Sequence, residues 1–269
     1  MRGIFGNEEK MKNFKIGLQL YSIHKDVEAD MESALKKVKE MGYDCVEFAG
    51  YFGKTAEEVK ALLEKYDLEG ISAHHGIDFF DDEGAVDYLK TIGAKYVAIP
   101  WYDKAELKGG SMWDETAEKF EALGKKLSAN GIKLLYHNHA FEMEKTDGKT
   151  LMDWIFTDVS ADAIDPEFDI CWVEVGGEDV CETLERYSGR IEVLHLKDYV
   201  YVKPEDSEDD GFRYMAVGHG TSDFVKILNT AEKCGTRYII VEAEQNEYTK
   251  NSGMKDAELS IRYLRSLGI

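Results

Sequence analysis

Eight short apolar runs alternate with amphipathic stretches from about residue 14 to the end of the chain. The runs are rich in Val, Ile and Leu and are mostly apolar throughout, as parallel strands are when helices cover both of their faces. They are Lys15–Leu20, Asp44–Phe48, Ile71–His74, Tyr96–Pro100, Lys133–His137, Glu167–Ile170, Ile191–Leu196 and Tyr238–Glu242. A doubly wound open sheet rarely reaches eight such regular units. The alternation therefore predicts an α/β protein with a single (β/α)8 barrel, the TIM barrel fold.

The stretches between the predicted strands carry helical periodicity and helix-ending signals. Met31–Met41 places apolar residues along one stripe, and Thr55–Tyr66 begins with Thr55 and has Glu58 three residues later, as in a capping box. Five glycines stand where a helix is expected to end and a strand to follow: Gly42, Gly70, Gly93, Gly131 and Gly235. Glycine readily adopts the left-handed conformation that closes a helix, so we interpret these positions as one helix-to-strand joint used repeatedly.

No linker rich in Pro, Gly or Ser divides the chain, so we predict one barrel domain over residues 13–269, preceded by an N-terminal extension over residues 1–12. The chain carries 53 acidic against 33 basic side chains, a net charge of −20. Such a charge repels polyphosphate backbones and argues against a nucleic-acid partner. No apolar run approaches the roughly 18 residues of a membrane span and no signal-peptide core is present, so we expect no membrane partner and a cytoplasmic location.

All seven histidines follow a strand-like run, and none falls in a stretch predicted to be helical. They are His24, His74, His75, His137, His139, His195 and His219. In a TIM barrel the carboxyl ends of all strands open onto one face, which is where active sites are built. Because histidine titrates near neutrality and binds metals, we expect the active site on this face.

The last four predicted strands bring carboxylate or imidazole groups to the same face. These are His137 at the end of the fifth strand with His139 and Glu142 just after it, Asp169 on the sixth, His195 with Lys197 on the seventh, and Glu242 on the eighth. A carboxylate at the end of an apolar strand is costly unless it is paired or bound to a metal. Mn²⁺, Mg²⁺, Co²⁺ and Zn²⁺ accept such mixed nitrogen and oxygen ligands, so we predict a divalent metal ion as cofactor.

The order and spacing of eight segments resemble the sugar phosphate isomerase/epimerase superfamily, the xylose isomerase-like TIM barrels that include inosose dehydratase. The segments are Gly17–Ser22 (GLQLYS), Gly42–Phe48 (GYDCVEF), Ser72–His75 (SAHH), Tyr136–Glu142 (YHNHAFE), Phe168–Trp172 (FDICW), His195–Asp198 (HLKD), Val217–Gly220 (VGHG) and Val241–Glu242. The resemblance covers nearly the whole chain after Met11. These motifs are specific for the superfamily but not for a substrate.

The resemblance implies a divalent metal held by a Glu on the fifth strand, an Asp on the sixth, a His on the seventh and a Glu on the eighth. Asp169, His195 and Glu242 match the last three positions. At the fifth strand His137 occupies the place where many members carry Glu. Either His137 is the ligand, as strand alternation favours, or the loop turns back and Glu142 supplies it, as charge balance on the metal favours.

The leading hypothesis is a metal-dependent isomerase or epimerase of a ketose or keto-sugar derivative. The metal would polarise the carbonyl, and Glu242 or Glu142 would remove the proton from the neighbouring carbon as general base. Lys197 or His137 would donate to the oxygen of the resulting enediolate. The residues expected to bind the sugar substrate are His74, Glu47, His139, Trp101 and Trp172.

The alternative is a lyase that uses the same site for β-elimination, either a keto-inositol dehydratase or an enzyme acting on a 3-keto-glycoside. An acid such as His137 or His139 would then protonate the departing group, and this His-Asn-His run supplies more potential acids than an epimerase needs. A third reading is a sugar-binding barrel without catalysis, against which the retained metal-type residues argue. A small sugar is the expected partner, and the oligomeric state stays open, with homo-oligomerisation through rim loops as one option.

Overall fold

The computed structural model describes residues 14–203, 205, 211–243 and 252–269, so the predicted N-terminal extension lies outside the described residues. Eight parallel strands are hydrogen-bonded in sequential order around one barrel. They are β1 Lys15–Gln19, β2 Cys45–Phe48, β3 Glu69–Ala73, β4 Tyr96–Ile99, β5 Lys133–His137, β6 Ile164–Asp169, β7 Val193–Leu196 and β8 Tyr238–Val241. Strand β8 pairs with both β7 and β1. The predicted TIM barrel is therefore confirmed.

The barrel closes between β3 and β4 with less regular pairing than elsewhere. His75 N donates to Ala98 O at 3.0 Å, and Lys95 N donates to Ile71 O at 2.9 Å. Two short antiparallel hairpins decorate the loops after β5 and β7. They pair Lys145–Thr146 with Lys149–Thr150, and Asp198–Tyr201 with Phe212–Met215.

Each barrel strand is followed by at least one helix. The helices are α1 His24–Met41, α2 Ala56–Tyr66, α3 Ala85–Ile92, α4 Trp113–Ser128, α5 Leu151–Asp158, α6 Ile170–Val175, α7 Val180–Arg186, α8 Phe224–Cys234 and α9 Gly253–Ser266. They pack their apolar faces on the outside of the barrel, where the main core lies. None of the helices in the described part of the chain is long and apolar enough to cross a lipid bilayer.

The helix signals are confirmed at most, not all, of the predicted positions. The Thr55–Glu58 capping box forms at the start of α2. Gly42 and Gly93 close their helices in the left-handed conformation, with φ of 103° and 82°, as does Gly235 with φ of 95°. Gly131 also has a positive φ but lies two residues beyond the C-cap of α4, Ala129.

Gly70 is wrong as a helix end. It lies inside β3, and Asp67 instead closes α2 in the left-handed conformation. Glycine at position 70 allows α2 to pack closely on β3, because a Cβ there would meet Leu63 Cδ1 at 2.8 Å. The expectation that no histidine belongs to a helix is wrong for His24, which is the first residue of α1.

The sixth strand begins three residues earlier than predicted and ends one residue earlier. Asp165 and Pro166 interrupt the apolar pattern but belong to β6, and Pro166 pairs in register with Tyr136 of β5. Proline cannot donate a ladder hydrogen bond, which is why it usually argues against a central strand. Ile170 is the first residue of α6.

The barrel interior changes from apolar to polar along the strand direction. The apolar layer consists of Cys45, Ile71, Tyr96, Ala98, Leu135, Val193, Tyr238 and Ile240. Side chains two residues apart on a strand share a face, so the next inward residue after Cys45 is Glu47 and the next after Val193 is His195. This alternation places the ionisable side chains together at the carboxyl end of the barrel.

Candidate active site

A cavity of about 420 Å³ opens at the carboxyl ends of the barrel strands. Its lining residues are Tyr21, Ala49, His74, Pro100, Trp101, His137, His139, Lys197 and Glu242. Aromatic side chains line its outer part, and Trp101 is 56% exposed there. A pocket of this size with a few convergent polar groups suits a small ligand.

Two overlapping groups of metal-type donors lie at the floor of the cavity. The upper donor set consists of His137, Asp169, His195 and Glu242, and the lower donor set of His74, His137, Glu167 and His195. Within each set, one nitrogen or oxygen atom of every residue lies within 4.8 Å of the others. All of these residues except the partly buried His74 are buried.

The two carboxylate oxygens of Asp169 have different roles: one caps a helix and the other faces the site. Oδ1 caps α6 by accepting from the backbone N–H groups of Cys171 and Trp172, at 2.9 and 3.3 Å. Oδ2 has no hydrogen-bond partner in the described part of the chain and lies 3.6 Å from Lys197 Nζ. Burial raises the pKa of Asp169 to about 6. The cap fixes the carboxylate so that one oxygen remains for a ligand.

Lys197 and Glu242 form a buried ion pair on the cavity wall. Lys197 Nζ lies 3.4 Å from Glu242 Oε1 and also faces the ring of Trp172, 5.2 Å from its centroid. Burial opposes the charge of Glu242, but Lys197 and His195 outweigh it and hold the pKa of this carboxyl below its usual range. Both charges are thus retained beside the cavity.

Below the cavity floor lies a network of buried carboxylates and imidazoles, which the partly buried His74 joins from the cavity lining. Glu47 Oε2 accepts from Gln19 Nε2 at 2.7 Å and lies 2.6 Å from His195 Nε2. His74 Nε2 lies 3.0 Å from Glu47 Oε2 and 2.8 Å from Glu167 Oε2. Burial opposes the charge of His74, but the two carboxylates outweigh it and raise its pKa to about 10. Burial and the charge of Glu47 raise the pKa of Glu167.

His137 and His139 differ from His74 and His195, because neither has a carboxylate oxygen within 3.0 Å of a ring nitrogen among the described residues. His137 Nδ1 lies 3.3 Å from Glu167 Oε2 but has no well-aligned hydrogen bond among the described residues. Burial and the neighbouring charges of His195 and His74 hold the pKa of His137 well below its usual range. Burial and the charge of Lys197 lower the pKa of His139 to about 4. Both imidazoles are therefore neutral near pH 7.

Glu142 faces away from both donor sets. Its Oε2 accepts from the backbone N–H of His139 at 2.7 Å, and its Oε1 accepts from the hydroxyl of Tyr136 at 3.0 Å. The side chain is fully buried and is not part of the cavity lining. Burial raises its pKa to about 7. Of the two fifth-strand candidates for a metal ligand, only His137 lies with the other donors.

The residues of the upper donor set fit a divalent cation. Asp169 Oδ2 and His137 Nδ1 are buried polar atoms without hydrogen-bond partners among the described residues, which is costly unless a ligand satisfies them. Two imidazoles and two carboxylates are a common ligand set for Zn²⁺ and for harder divalent ions. The fit rests on these donors and their spacing.

The sequence-predicted site residues fall into three groups in the structure. His137, Asp169, His195 and Glu242 meet at the cavity floor, and Lys197, His74, His139 and Trp101 line the cavity around them. Glu47 is fully buried in the layer below, and Trp172 lies behind Lys197 and His139, with its ring 5.4 Å from the His139 ring. Glu142 stands apart, as described above. His219 is exposed in the loop after the second hairpin.

Sequence reasoning missed Glu167, which belongs to the lower donor set. The signal was present, because Glu167 stands two residues before Asp169 on β6 and so shares its inward face. Sequence reasoning also missed Asn138, whose Oδ1 accepts from the backbone N–H of Asp169 at 3.0 Å. That contact joins the loop after β5 to the end of β6 and leaves no periodic trace in the sequence.

Comparison with known proteins gives consistent relatives. The model of the xylose isomerase-like TIM barrel family matches residues 35–267. The inosose dehydratase of Geobacillus kaustophilus (strain HTA426) is 27% identical, over 89% of this chain and 90% of that protein. A sugar phosphate isomerase/epimerase from Parabacteroides distasonis ATCC 8503 has a crystal structure that matches with a TM-score of 0.80 and 22% identity, covering 96% of this chain and 98% of that one. The IOLI protein, solved with a bound zinc atom, matches with a TM-score of 0.72 and 14% identity over 95% and 98% of the two chains.

The fold and the site define a TIM barrel with a candidate metal site at the carboxyl ends of its strands. Since the family model spans most of the sequence, the chain belongs to the xylose isomerase-like TIM barrel family. The superfamily predicted from the sequence motifs is confirmed. The relative that is 27% identical is named a dehydratase, the activity that the sequence analysis placed second.

Proposed function

We propose that the protein is a divalent-metal-dependent dehydratase of a cyclic polyhydroxylated ketone of the inosose type. The observation that carries the proposal is that the upper donor set, His139 and Lys197 meet at one cavity. The relative named inosose dehydratase supports elimination as the reaction. A volume of about 420 Å³ accommodates one six-membered ring with its hydroxyl groups.

His137, Asp169, His195 and Glu242 would hold the metal ion, because each offers a donor atom to the same point beside the cavity. When bound, a divalent cation supplies the Lewis acidity that polarises a ketone carbonyl and acidifies the neighbouring C–H bond. The remaining side chains of the cavity would bind the ring and move its protons.

His139 is the residue that we assign as general base. It lines the cavity, belongs to neither donor set, and is neutral near pH 7 because burial and Lys197 hold its pKa at about 4. A neutral imidazole can accept the proton from the carbon beside the carbonyl. Glu142 supports this role from behind, since its carboxylate accepts the backbone N–H of His139 and orients the turn.

We assign to Lys197 the stabilisation of the substrate's carbonyl oxygen, which gains negative charge as the proton leaves the neighbouring carbon. Its ammonium group lies on the cavity wall, and Glu242 and Asp169 at 3.4 and 3.6 Å hold it there. The imidazolium of His139 then returns the proton to the hydroxyl group on the next carbon. One C–H bond and one C–O bond break, a carbon–carbon double bond forms beside the carbonyl, and water leaves without any oxidation or reduction.

The isomerase or epimerase activity predicted first from the sequence is the second candidate. It is favoured because a neutral base, His139, and an ammonium group, that of Lys197, line the same cavity, and proton removal beside a carbonyl needs no more than these. Epimerisation removes a proton beside a carbonyl and returns one to the same carbon. The two reactions therefore share their first step and differ in what is protonated next.

The test is incubation of the protein, loaded with Zn²⁺ or Mn²⁺, with an inosose in D₂O. A dehydratase releases a product lighter by one water and with the ultraviolet absorbance of an enone. An epimerase returns a product of unchanged composition with deuterium at one carbon, and metal binding without either change would identify a binding protein. We expect His139→Gln to slow elimination about 100-fold or more, and the exposed control His219→Gln to leave it unchanged.

A further inference from the structure

We infer that Glu47 is a positioning residue that selects which nitrogen of His195 binds the metal. This inference rests on the proposed function only in assuming that a divalent cation occupies the upper donor set. Glu47 would hold the proton on His195 Nε2, so that Nδ1 presents its lone pair to the cation. This role differs from the binding of sugar hydroxyls that the sequence predicts for Glu47.

The two nitrogens of His195 face different carboxylates. Nε2 lies 2.6 Å from Glu47 Oε2, whereas Nδ1 lies 3.1 Å from Glu242 Oε2. Glu242 belongs to the upper donor set and Glu47 does not. A cation in the upper donor set would therefore meet Nδ1 and leave the hydrogen bond of Nε2 intact.

Burial and several contacts hold the side chain of Glu47 in place. Its side chain is fully buried on β2, and Gln19 of the neighbouring strand β1 donates to the same oxygen at 2.7 Å. His74, the residue after the other neighbouring strand, β3, approaches that oxygen at 3.0 Å. Because three side chains converge on Oε2 and the carboxylate does not line the cavity, its role is to orient His195 and not to contact substrate.

The same contacts favour the upper donor set over the lower one. A cation in the lower set would compete with the 2.8 Å contact between His74 Nε2 and Glu167 Oε2, and His195 would have to give up its contact with Glu47 to reach it through Nε2. In the upper set, a cation would replace the 3.1 Å contact between His195 Nδ1 and Glu242 Oε2 and would leave the shorter contact of Nε2 with Glu47 intact. Asp169 Oδ2 has no hydrogen-bond partner among the described residues to give up, only the ion pair with Lys197 at 3.6 Å. A carboxylate that fixes the proton of a ligating histidine typically strengthens metal binding by about 10- to 100-fold.

The first measurement is the affinity for Zn²⁺ alone, by competition with a chromophoric chelator at pH 7.5. We expect Glu47→Ala to weaken binding about 10- to 100-fold, and Glu47→Gln, which keeps an acceptor oxygen, to lose less. The matched control is Ser72→Ala. Ser72 pairs in register with Glu47, is fully buried, and has no hydrogen-bond partner for its hydroxyl in the described part of the chain.

The second measurement uses the unsubstituted protein and so does not depend on how a variant folds. In the Zn²⁺-loaded protein labelled with ¹⁵N-histidine, long-range ¹H–¹⁵N spectra should show His195 with a protonated Nε2 and a metal-bound Nδ1. Assignment follows from the signals lost in His195→Gln. Ligation through Nε2, or an affinity for Glu47→Ala equal to that for Ser72→Ala, would overturn the inference.

These outcomes separate the inference from the proposed function. Ligation through Nε2 with elimination intact would refute the role of Glu47 alone. Ligation through Nδ1 without turnover of any inosose would refute the proposed reaction and keep the role of Glu47. Failure to bind Zn²⁺ or Mn²⁺ at all would refute both.

Discussion

The ammonium nitrogen of Lys197 lies 3.4 Å from Oε1 of Glu242, and both side chains are more than nine-tenths buried at the cavity. A buried lysine is costly unless carboxylates compensate its charge, so this pairing keeps a cation where the proposed substrate would bind. Lys197→Met removes the charge and keeps an unbranched side chain. We expect turnover to fall about 100-fold or more, because no other ammonium group lines the described part of the cavity.

The same substitution should change metal affinity in the opposite direction. It removes a positive charge that lies within 3.6 Å of two members of the upper donor set, so Zn²⁺ should bind more tightly. Steady-state kinetics and chelator competition measure the two effects, with the exposed Lys36→Met on α1 as control. Unchanged turnover, or weaker Zn²⁺ binding, would contradict the assignment of Lys197.

Asp169 offers a substitution that removes a metal donor and preserves a helix cap. Asn is as good an N-cap as Asp, so Asp169→Asn keeps the bonds from Oδ1 to Cys171 and Trp172 and removes the charge of the other oxygen. We expect the free energy of unfolding in chelator to change by less than about 1 kcal/mol. The added stability from Zn²⁺, about 2.7 kcal/mol at a hundredfold excess over Kd in the parent, should be largely lost.

Chemical denaturation with and without Zn²⁺ measures this difference. Asp179→Asn is the matched control, because Asp179 caps α7 in the same way and lies outside both donor sets. Equal stabilisation of Asp169→Asn and the parent by Zn²⁺ would show that Asp169 is not a ligand.

The strands and the direction of most site residues could be predicted because both follow from a two-residue alternation. His195 and Lys197 are two residues apart at the end of β7, and this spacing alone predicts that their side chains share a face. The position of Glu142 could not be predicted in this way. Its direction depends on a turn after β5, where the chain leaves the alternation and Tyr136 and His139 capture the carboxylate.

The depth of a residue within the barrel was also beyond the sequence. Glu47 and Glu242 both belong to the polar end of the barrel interior, but only Glu242 lines the cavity, whereas Glu47 is fully buried. That difference depends on the stagger between strands that are far apart in the chain. The start of β6 could not be predicted either, because Pro166 is a residue that central strands usually exclude.

Glu142 should make the stability of the metal-free protein depend on pH. Its pKa is about 7 in the folded protein against an ordinary 4.5, so the folded state holds this proton more tightly than the unfolded state does. The contribution of Glu142 to stability is therefore complete below about pH 4.5 and declines as the pH rises to about 7. The full difference corresponds to about 3 kcal/mol.

Glu142→Gln removes this titration, because an amide stays neutral and can still accept from His139 and donate to Tyr136. We expect the variant to match the parent at pH 4 and to be more stable by up to about 3 kcal/mol at pH 8, in denaturant unfolding with chelator present. Glu118→Gln on the exposed face of α4 controls for the loss of one charge. A constant difference between parent and Glu142→Gln across this pH range would rule out the titration of Glu142.

Trp101 should affect substrate binding without affecting the fold. It lines the cavity but is 56% exposed, so Trp101→Ala should change the free energy of unfolding by no more than about 0.5 kcal/mol. Loss of an aromatic contact worth about 0.5–1.5 kcal/mol raises KM about two- to tenfold. Because the ring lies at the outer part of the cavity, away from the upper donor set, kcat should stay near the parent value.

Tyr201→Ala is the control, since Tyr201 is 65% exposed and lies outside the cavity lining. A lower kcat with an unchanged KM would place Trp101 in the chemical step instead of in binding.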